Sequence, residues 1–304
     1  MARRIVVGTR GSQLALWQAN RVAELLRAAH PGLEVELRTV RTEGDRKADV
    51  PFWQLKGRGV FVRELELALT DRRIDLAVHS AKDIPTELAP GLVLAAALPR
   101  HDPRDALVGR SLDRISDGAT LGTSSPRRRA ALARRRPDLH FVDLRGNLDT
   151  RLRKLDEGQF EAAVLACAGL ERLGLGHRIA ERLEPEVCLP APGQGIVVVE
   201  VRADDAELRD RLAPLADASS LACLAAERAL LEGLGGGCQV PIGALARIEG
   251  GTLRLLAGVS SPDGKRHADG TTNGEPGRAA QLGRELAGRL IDGGAREILA
   301  EGQP

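Results

Sequence analysis

The chain has 304 residues, of which 43% are hydrophobic and 28% are charged, a composition typical of folded proteins and not of disordered ones. Its 44 basic and 42 acidic residues nearly cancel, so no overall field favours nucleic acid or an anionic membrane surface. Aromatic residues make up only 2%, which argues against a stacking platform for single-stranded nucleic acid. The length predicts two or three domains.

No stretch approaches the roughly 20 apolar residues of a membrane span. The apolar run at residues 5–7 is too short for the core of a signal peptide, so we expect a cytoplasmic protein without a membrane partner. The cysteines are dispersed and form no CxxC pair; they are Cys167, Cys188, Cys223 and Cys238. Free thiols are expected in a reducing compartment, and the cysteine spacing predicts no metal site.

Apolar periodicity and turn residues predict secondary structure along the chain. In the first part, strands are predicted at 4–7, 33–40, 74–78 and 92–98, with helices at 13–29 and 60–69. The pattern then restarts, with strands at 106–108, 120–122, 140–144, 160–166 and 196–201, and with helices starting at Ser125-Pro126 and spanning 148–155. The last part predicts a helix at 218–234, paired strands in 240–259 with a turn at Gly250-Gly251, and a helix at 278–291.

Alternating strands and helices are typical of parallel, doubly wound sheets. The predicted fold class is therefore α/β, with two doubly wound domains around a cleft and a smaller α+β C-terminal domain. The polar, glycine-rich segment from Arg41 to Gly59 is long for a connection in a compact domain, which predicts a lid or a binding loop.

Several predicted strand-to-helix turns carry hydroxyl side chains beside cations. They are Thr9-Arg10-Gly11-Ser12, His79-Ser80-Ala81-Lys82 and Thr123-Ser124-Ser125-Pro126-Arg127-Arg128, and Arg145-Gly146-Asn147 with Arg151 adds a fourth basic turn. Free N–H groups at a helix start bind anions, and arginine can grip a carboxylate with two parallel hydrogen bonds. Helix capping alone would explain the serines of any one turn. Together the turns favour a ligand with several carboxylates or phosphates.

Two residues could carry chemistry. Asp83 follows Lys82 at a predicted strand end, and it is either a capping or salt-bridged carboxylate or a group that stabilises a cationic intermediate. Cys238 follows three glycines, which leave a thiol sterically open, so it is either a nucleophile or attachment point or a small core residue. The other three cysteines lie in or beside apolar runs and are predicted to be structural.

Taken together, these segments resemble the porphobilinogen deaminase (hydroxymethylbilane synthase) family. The resemblance rests on TRGSQLALWQ at 9–18, DLAVHSAKD at 75–83, GTSSPRR at 122–128, LRGN at 144–147, LPAPGQG at 189–195 and GGCQVP at 236–241. It implies a first domain at 1–98 and 196–214, a second at 99–195 and a third at 215–304. The first two domains would be similar to type-II periplasmic binding proteins.

The resemblance implies a transferase of tetrapyrrole, porphyrin and heme biosynthesis. Four porphobilinogen molecules would be condensed head to tail onto a covalent dipyrromethane cofactor, with release of ammonia and of the linear tetrapyrrole hydroxymethylbilane. Cys238 would hold the cofactor through a thioether, and Asp83 would be the catalytic residue that stabilises the developing positive charge. The family is usually monomeric, and its product can be handed over to uroporphyrinogen-III synthase.

The resemblance also implies which residues bind the cofactor and the substrate. The implied cofactor-binding residues are Ser12, Lys82, Asp83, Thr123, Ser125, Arg127, Arg128, Arg145, Gly146, Arg151 and Cys238. The implied substrate-binding residues are Arg10, Ser12, Phe61, Arg145, Arg151, Arg172 and Gln194.

Two other classes of function are weighed against this one. A non-enzymatic, two-lobed α/β protein that captures a small anion would explain the basic turns equally well, but it requires neither Asp83 nor an accessible Cys238. A cysteine-dependent acyl transferase would need a histidine partner, and none of the six histidines adjoins Cys238 in sequence.

Overall fold

A computed structural model describes residues 4–46, 59–236 and 240–301. The described residues fall into two compact units. The first unit holds the described residues up to Arg100 and then Ile196–Leu221, and the second holds His101–Gly195 and the described residues from Ala222 onward. The predicted division into three domains stays a prediction. Within these ranges, no helix is both long enough and apolar enough to cross a membrane.

The strands are β1 (Ile5–Thr9), β2 (Val35–Thr39), β3 (Leu76–Ser80), β4 (Leu92–Ala97), β5 (Asp105–Val108), β6 (Thr120–Gly122), β7 (His140–Val142), β8 (Ala162–Ala166), β9 (Ile179–Leu183), β10 (Val197–Arg202), β11 (Ile242–Glu249), β12 (Thr252–Ser260) and β13 (His267–Gly274). The helices are α1 (Gln13–Ala29), α2 (Glu43–Arg46), α3 (Arg63–Thr70), α4 (Pro126–Arg135), α5 (Leu148–Asp156), α6 (Cys167–Arg172), α7 (Ala206–Leu212), α8 (Ala218–Gly233), α9 (Ala279–Asp292) and α10 (Ala295–Ala300).

The first unit is built on a five-stranded sheet in the order β2-β1-β3-β10-β4. β1 runs parallel to β2 and β3, whereas β10 runs antiparallel to both β3 and β4. Helix α1 packs the fully buried Val22 and Leu26 into the same core as Ile5 and Val7 of β1. Each fully buried aliphatic side chain of this kind stabilises the fold by roughly 1.5–3 kcal/mol.

The second unit repeats this arrangement in a sheet with the order β7-β6-β8-β5-β9. Here β6 is parallel to β7 and β8, and β5 is the antiparallel strand between β8 and β9. Two such sheets confirm the predicted α/β class. The expectation of parallel sheets holds except for one strand in each sheet, β10 and β5, which runs antiparallel to its neighbours.

The C-terminal part of the second unit is an antiparallel sheet, β11-β12-β13, covered by α8, α9 and α10. The predicted turn between β11 and β12 is confirmed, since Gly250 and Gly251 have φ of 56° and 80° between the paired residues Glu249 and Thr252. Two consecutive positive φ angles are the geometry of a type I′ hairpin turn, which glycine adopts without strain.

One buried carboxylate joins this sheet to the segment that follows β9. Glu227 of α8 accepts a hydrogen bond on Oε2 from Gly193 N at 2.6 Å and one on Oε1 from Ala246 N at 2.7 Å. Ala244 N also donates to Pro190 O at 2.9 Å. The segment 189–195 is therefore held against β11 within the second unit.

Candidate active site

The turn after β1 lies at the carboxyl end of its strand, where open α/β sheets bind ligands. Ser12 is the N-cap of α1, and its Oγ accepts a hydrogen bond from Ala15 N at 3.3 Å. Arg10 lies over the ring of Phe61, with Cζ 4.1 Å from the ring centroid, which is the geometry of a cation–π contact. The structure thus brings together Arg10 and Phe61, both implied as substrate-binding residues.

The turn after β3 carries Asp83 and Lys82 in a short 3-10 helix, Ala81–Asp83. Both side chains are half-buried, so they remain partly accessible to solvent. Ser80, the residue before this turn, accepts a hydrogen bond on Oγ from Nε2 of the buried Gln18 at 2.8 Å. The Asp83 carboxylate therefore stands at a strand end that is fixed to helix α1.

The turn after β6 reproduces the turn after β1 in the second unit. Ser125 is the N-cap of α4, and its Oγ accepts a hydrogen bond from Arg128 N at 3.4 Å, while Pro126 occupies the first helical position. Thr123 Oγ1 accepts from Ser125 N at 3.2 Å. The predicted capping serine and first-turn proline are confirmed, and β6 holds the same place in its sheet that β1 holds in the first.

Arg127 and Arg128 are buried and face a carboxylate of the protein, Asp105, at the start of β5. Arg127 Nη1 lies 2.7 Å from Asp105 Oδ2, and Arg128 Nη2 lies 2.7 Å from Oδ1. Burial alone would raise the pKa of Asp105, but the two guanidinium groups outweigh it and hold that pKa well below its ordinary value. Burial likewise opposes the charge of Arg127, yet Asp105 raises the pKa of that guanidinium.

Sequence reasoning did not single out Asp105. Its signal is a carboxylate placed directly before the apolar residues 106–108, a position where an unpaired charge would be costly to bury. The partners that make this burial tolerable lie more than twenty positions away in the chain, at Arg127 and Arg128.

The turn after β7 places Arg145, Gly146 and Arg151 close together. Gly146 has φ of 101°, a backbone conformation that favours glycine, and a Cβ built there would lie 2.8 Å from the Thr150 side chain. Arg151 folds back onto the turn, since its Nε donates to Gly146 O at 2.8 Å. Arg145 and Arg151 are both half-buried.

Arg172 and Gln194, two implied substrate-binding residues, are buried in the second unit. Arg172 ends α6, and its Nη2 donates to Gly195 O at 2.7 Å. Burial lowers the pKa of the Arg172 guanidinium to about 10. Gln194 Nε2 donates to Pro103 O at 2.7 Å and to Asp105 Oδ1 at 2.9 Å, so its side-chain amide bonds to the protein itself.

Cys238 lies outside the described residues, and so do residues 47–58 of the predicted lid loop. Cys167, Cys188 and Cys223 are buried, in agreement with the structural role predicted for them. Burial raises the pKa of the Cys167 thiol to about 12 and that of the Cys188 thiol to about 12, which makes neither a good nucleophile at neutral pH.

The fold and the site define an α/β protein in which both five-stranded sheets carry a serine-capped helix start beside arginine at a strand end. Residues 5–210 match the model of the porphobilinogen deaminase dipyromethane cofactor binding domain, and residues 221–292 match the model of the porphobilinogen deaminase C-terminal domain. The chain belongs to the porphobilinogen deaminase family, a family of transferases, and the resemblance found in the sequence is confirmed.

Two of the curated relatives that this chain matches illustrate the similarity. The porphobilinogen deaminase of Roseiflexus sp. (strain RS-1) is 50% identical over 303 residues, which cover 99% of this chain and 100% of that protein. The porphobilinogen deaminase of Syntrophobacter fumaroxidans is 48% identical over 302 residues, which cover 98% of each chain. Among solved structures, the periplasmic VFT2 domain of Bordetella pertussis BvgS aligns with a TM-score of 0.40 at 20% identity, over 70% of this chain and 86% of that one.

Proposed function

We propose that this chain is a cytoplasmic, monomeric porphobilinogen deaminase that forms hydroxymethylbilane on a dipyrromethane cofactor bound to Cys238 by a thioether. The substrate is porphobilinogen, and the product is handed over to uroporphyrinogen-III synthase. The observation that carries the proposal is the repeated turn at Ser12 and Ser125. This chain belongs to the family, and each of its five-stranded sheets has a serine-capped helix start beside arginine at the carboxyl end of its first parallel strand.

The donor set of these turns fits a dipyrromethane, whose two rings each carry an acetate and a propionate. Ser12, Ser125 and Thr123 offer hydroxyl groups near helix N-termini, which favour negative charge. Lys82 and Arg127 add cationic donors that suit carboxylates. The residues that would hold the cofactor are therefore Ser12, Lys82, Asp83, Thr123, Ser125, Arg127, Arg128, Arg145, Gly146 and Arg151, with Cys238 as the attachment point. When bound, the cofactor supplies a free pyrrole α-carbon as the nucleophile for the incoming substrate.

Asp83 is assigned the catalytic role. Porphobilinogen gains positive charge as its ammonia departs, and a fixed carboxylate next to the pyrrole N–H stabilises that charge. The half-buried position of Asp83 at a strand end combines partial exclusion of water with access for a ligand. Because the Gln18–Ser80 hydrogen bond holds this strand end, the carboxylate needs little rearrangement when charge develops.

Recognition of the substrate is assigned to Arg10, Ser12, Phe61, Arg145, Arg151, Arg172 and Gln194. The ring of Phe61 is already covered by the Arg10 guanidinium, so these two side chains offer a cation beside an apolar face. That combination suits a flat pyrrole with charged substituents. Gln194 bonds to Asp105 in this structure, so its contribution is to shape the turn 193–195.

The test is the intact mass of the purified full-length protein, measured before and after incubation with porphobilinogen. We expect a covalent adduct of two pyrrole units that is absent in Cys238→Ser. The matched control is Cys167→Ala, which removes a buried thiol of the second unit and should keep the adduct. An unmodified mass that stays unmodified after incubation, without ammonia release, would refute the enzyme and favour a small-anion binding protein. An adduct retained in Cys238→Ser would refute the attachment point.

A further inference from the structure

Asp105 has no role in the function proposed above, yet its side chain bonds to both buried arginines of the turn after β6. Its carboxylate is fully buried and accepts hydrogen bonds from four side chains. Oδ1 accepts from Arg128 Nε at 3.0 Å, from Arg128 Nη2 at 2.7 Å and from Gln194 Nε2 at 2.9 Å. Oδ2 accepts from Arg127 Nη1 at 2.7 Å and from the Cys188 thiol at 3.4 Å.

The two arginines use their guanidinium groups differently. Arg128 donates through all three of its nitrogens, because Nη1 also bonds to Val164 O at 2.8 Å. Arg127 bonds through Nη1 alone, to Asp105, to Cys188 Sγ at 3.3 Å and to Leu189 O. Within the described residues, Nε and Nη2 of Arg127 have no hydrogen-bond acceptor. Nε and Nη2 form one edge of the guanidinium, and this edge matches the two oxygens of a carboxylate.

We propose that Asp105 is a positioning residue, which holds the inward Nη1 of Arg127 so that its outward Nε–Nη2 edge is presented to a carboxylate of the pyrrole chain. The proposal rests on the function proposed above. Adjacent guanidinium groups repel each other, and a carboxylate shared between them fixes both orientations before a ligand binds. A ligand then loses less free energy to side-chain ordering than it would with mobile arginines.

The first test is Asp105→Asn in the full-length protein, which keeps the side-chain size and one oxygen acceptor but removes the charge. The measurements are thermal unfolding, the fraction carrying the two-pyrrole adduct, and KM and kcat for porphobilinogen of the adduct-bearing fraction. We expect KM to rise about tenfold or more, with a smaller fall in kcat and a lower adduct fraction, because a small displacement of a binding group weakens carboxylate recognition.

The matched control is Leu107→Ala, which removes a fully buried side chain of the same strand without touching the arginines. If Asp105 is purely structural, Asp105→Asn and Leu107→Ala should both unfold at lower temperature and keep the wild-type KM and adduct fraction. That result would overturn the positioning role. An inactive wild type without adduct would instead overturn the proposed function, so the two failures are distinguishable.

A second comparison applies if Asp105→Asn yields no folded protein. Arg128→Gln is compared with the double variant Asp105→Asn/Arg128→Gln, which restores the net charge that the cluster has in the wild type. The two variants differ only at position 105, and in both of them Arg127 is the remaining arginine of the cluster. A KM about tenfold higher in the double variant supports the proposal. Equal KM and adduct fractions overturn it.

Discussion

Gln18 donates a hydrogen bond from Nε2 to Oγ of Ser80 at 2.8 Å, and this contact joins helix α1 to the strand that leads into Asp83. Gln18 is buried, with 2% of its surface exposed, and Ser80 lies directly before the short helix that carries Lys82 and Asp83. Helix α1, to which Gln18 belongs, is capped by Ser12 in the turn after β1. One side-chain contact therefore links the turn after β1 to the turn after β3.

Replacing Gln18 should loosen this link. In Gln18→Leu, the Ser80 hydroxyl loses its donor inside a partly buried site, and we expect a loss of roughly 1 kcal/mol in the free energy of unfolding. We also expect kcat to fall several-fold, because the Asp83 carboxylate is held less firmly. Urea unfolding and steady-state kinetics measure the two effects. Gln13→Leu, at an exposed position of the same helix, is the control and should change neither.

Asp83→Asn tests the catalytic assignment. The amide keeps the shape of the side chain but cannot balance positive charge, so we expect kcat to fall by a factor of about 100 or more. The adduct on Cys238 should still form and be visible in the intact mass. Asp71→Asn, an exposed carboxylate of the same unit, should retain full turnover. Normal turnover of Asp83→Asn would refute its role.

Asp105 should make the free energy of unfolding depend on pH in the acidic range. Its folded-state pKa lies below its ordinary value of about 3.9, so its stabilising contribution is complete above that pH and is lost as the pH falls further. Urea unfolding of the wild type between about pH 5 and pH 2 should show this loss, and Asp105→Asn should flatten the curve.

Asp138 offers a comparison for this acid dependence. Its pKa is also lowered, mainly by a hydrogen bond from Arg136, but the Arg136–Asp138 pair is near the surface. Salt at about 1 M should reduce the acid dependence contributed by Asp138, because exposed charges are screened. The contribution of Asp105 should persist in salt. A salt-sensitive contribution from Asp105 would contradict its burial.

Two glycines of α9 should respond in opposite directions to the same substitution. A Cβ on Gly283 would lie 2.2 Å from Ala226 O of α8, whereas a Cβ on Gly288 would meet nothing within 4 Å. Gly283→Ala must therefore push the two helices apart, and we expect a destabilisation of about 1–3 kcal/mol. Gly288→Ala should stabilise the helix by up to about 1 kcal/mol. Thermal unfolding of both variants measures these changes in stability. Equal changes in the two variants would contradict the close packing of α9 on α8.

Local signals were sufficient for many elements of this fold. Ser12 and Ser125-Pro126 mark helix starts through bonds to residues only a few positions away, and Gly250-Gly251 defines a turn by itself. The helix predicted at 13–29 has the same bounds in the structure. The residues that cap a helix or form a tight turn lie within a few positions of each other, so they can be recognised in a single sequence.

Strand pairing and side-chain contacts between different elements could not be predicted in this way. β13 reads HADGTTNG, a polar segment without an apolar run, and it forms a strand because it pairs with β12. The sequence identifies Arg127 and Arg128 as cations at a helix start, but their bonds to Asp105 depend on how β5 enters the sheet. Pairing with the neighbouring strand β12 decides the first case, and pairing of β5 with the distant strands β8 and β9 decides the second.

The place of β10 in the first sheet has a consequence for synthesis of the chain. All six of its residues are buried, between β3 and β4, which precede it by more than ninety positions. A ribosome must therefore complete the whole stretch from Ala97 to Val197 before that sheet can close. At roughly 5–20 residues per second, the nascent first unit waits about 5–20 s with a gap beside β3, an interval in which chaperones have access to its apolar edges.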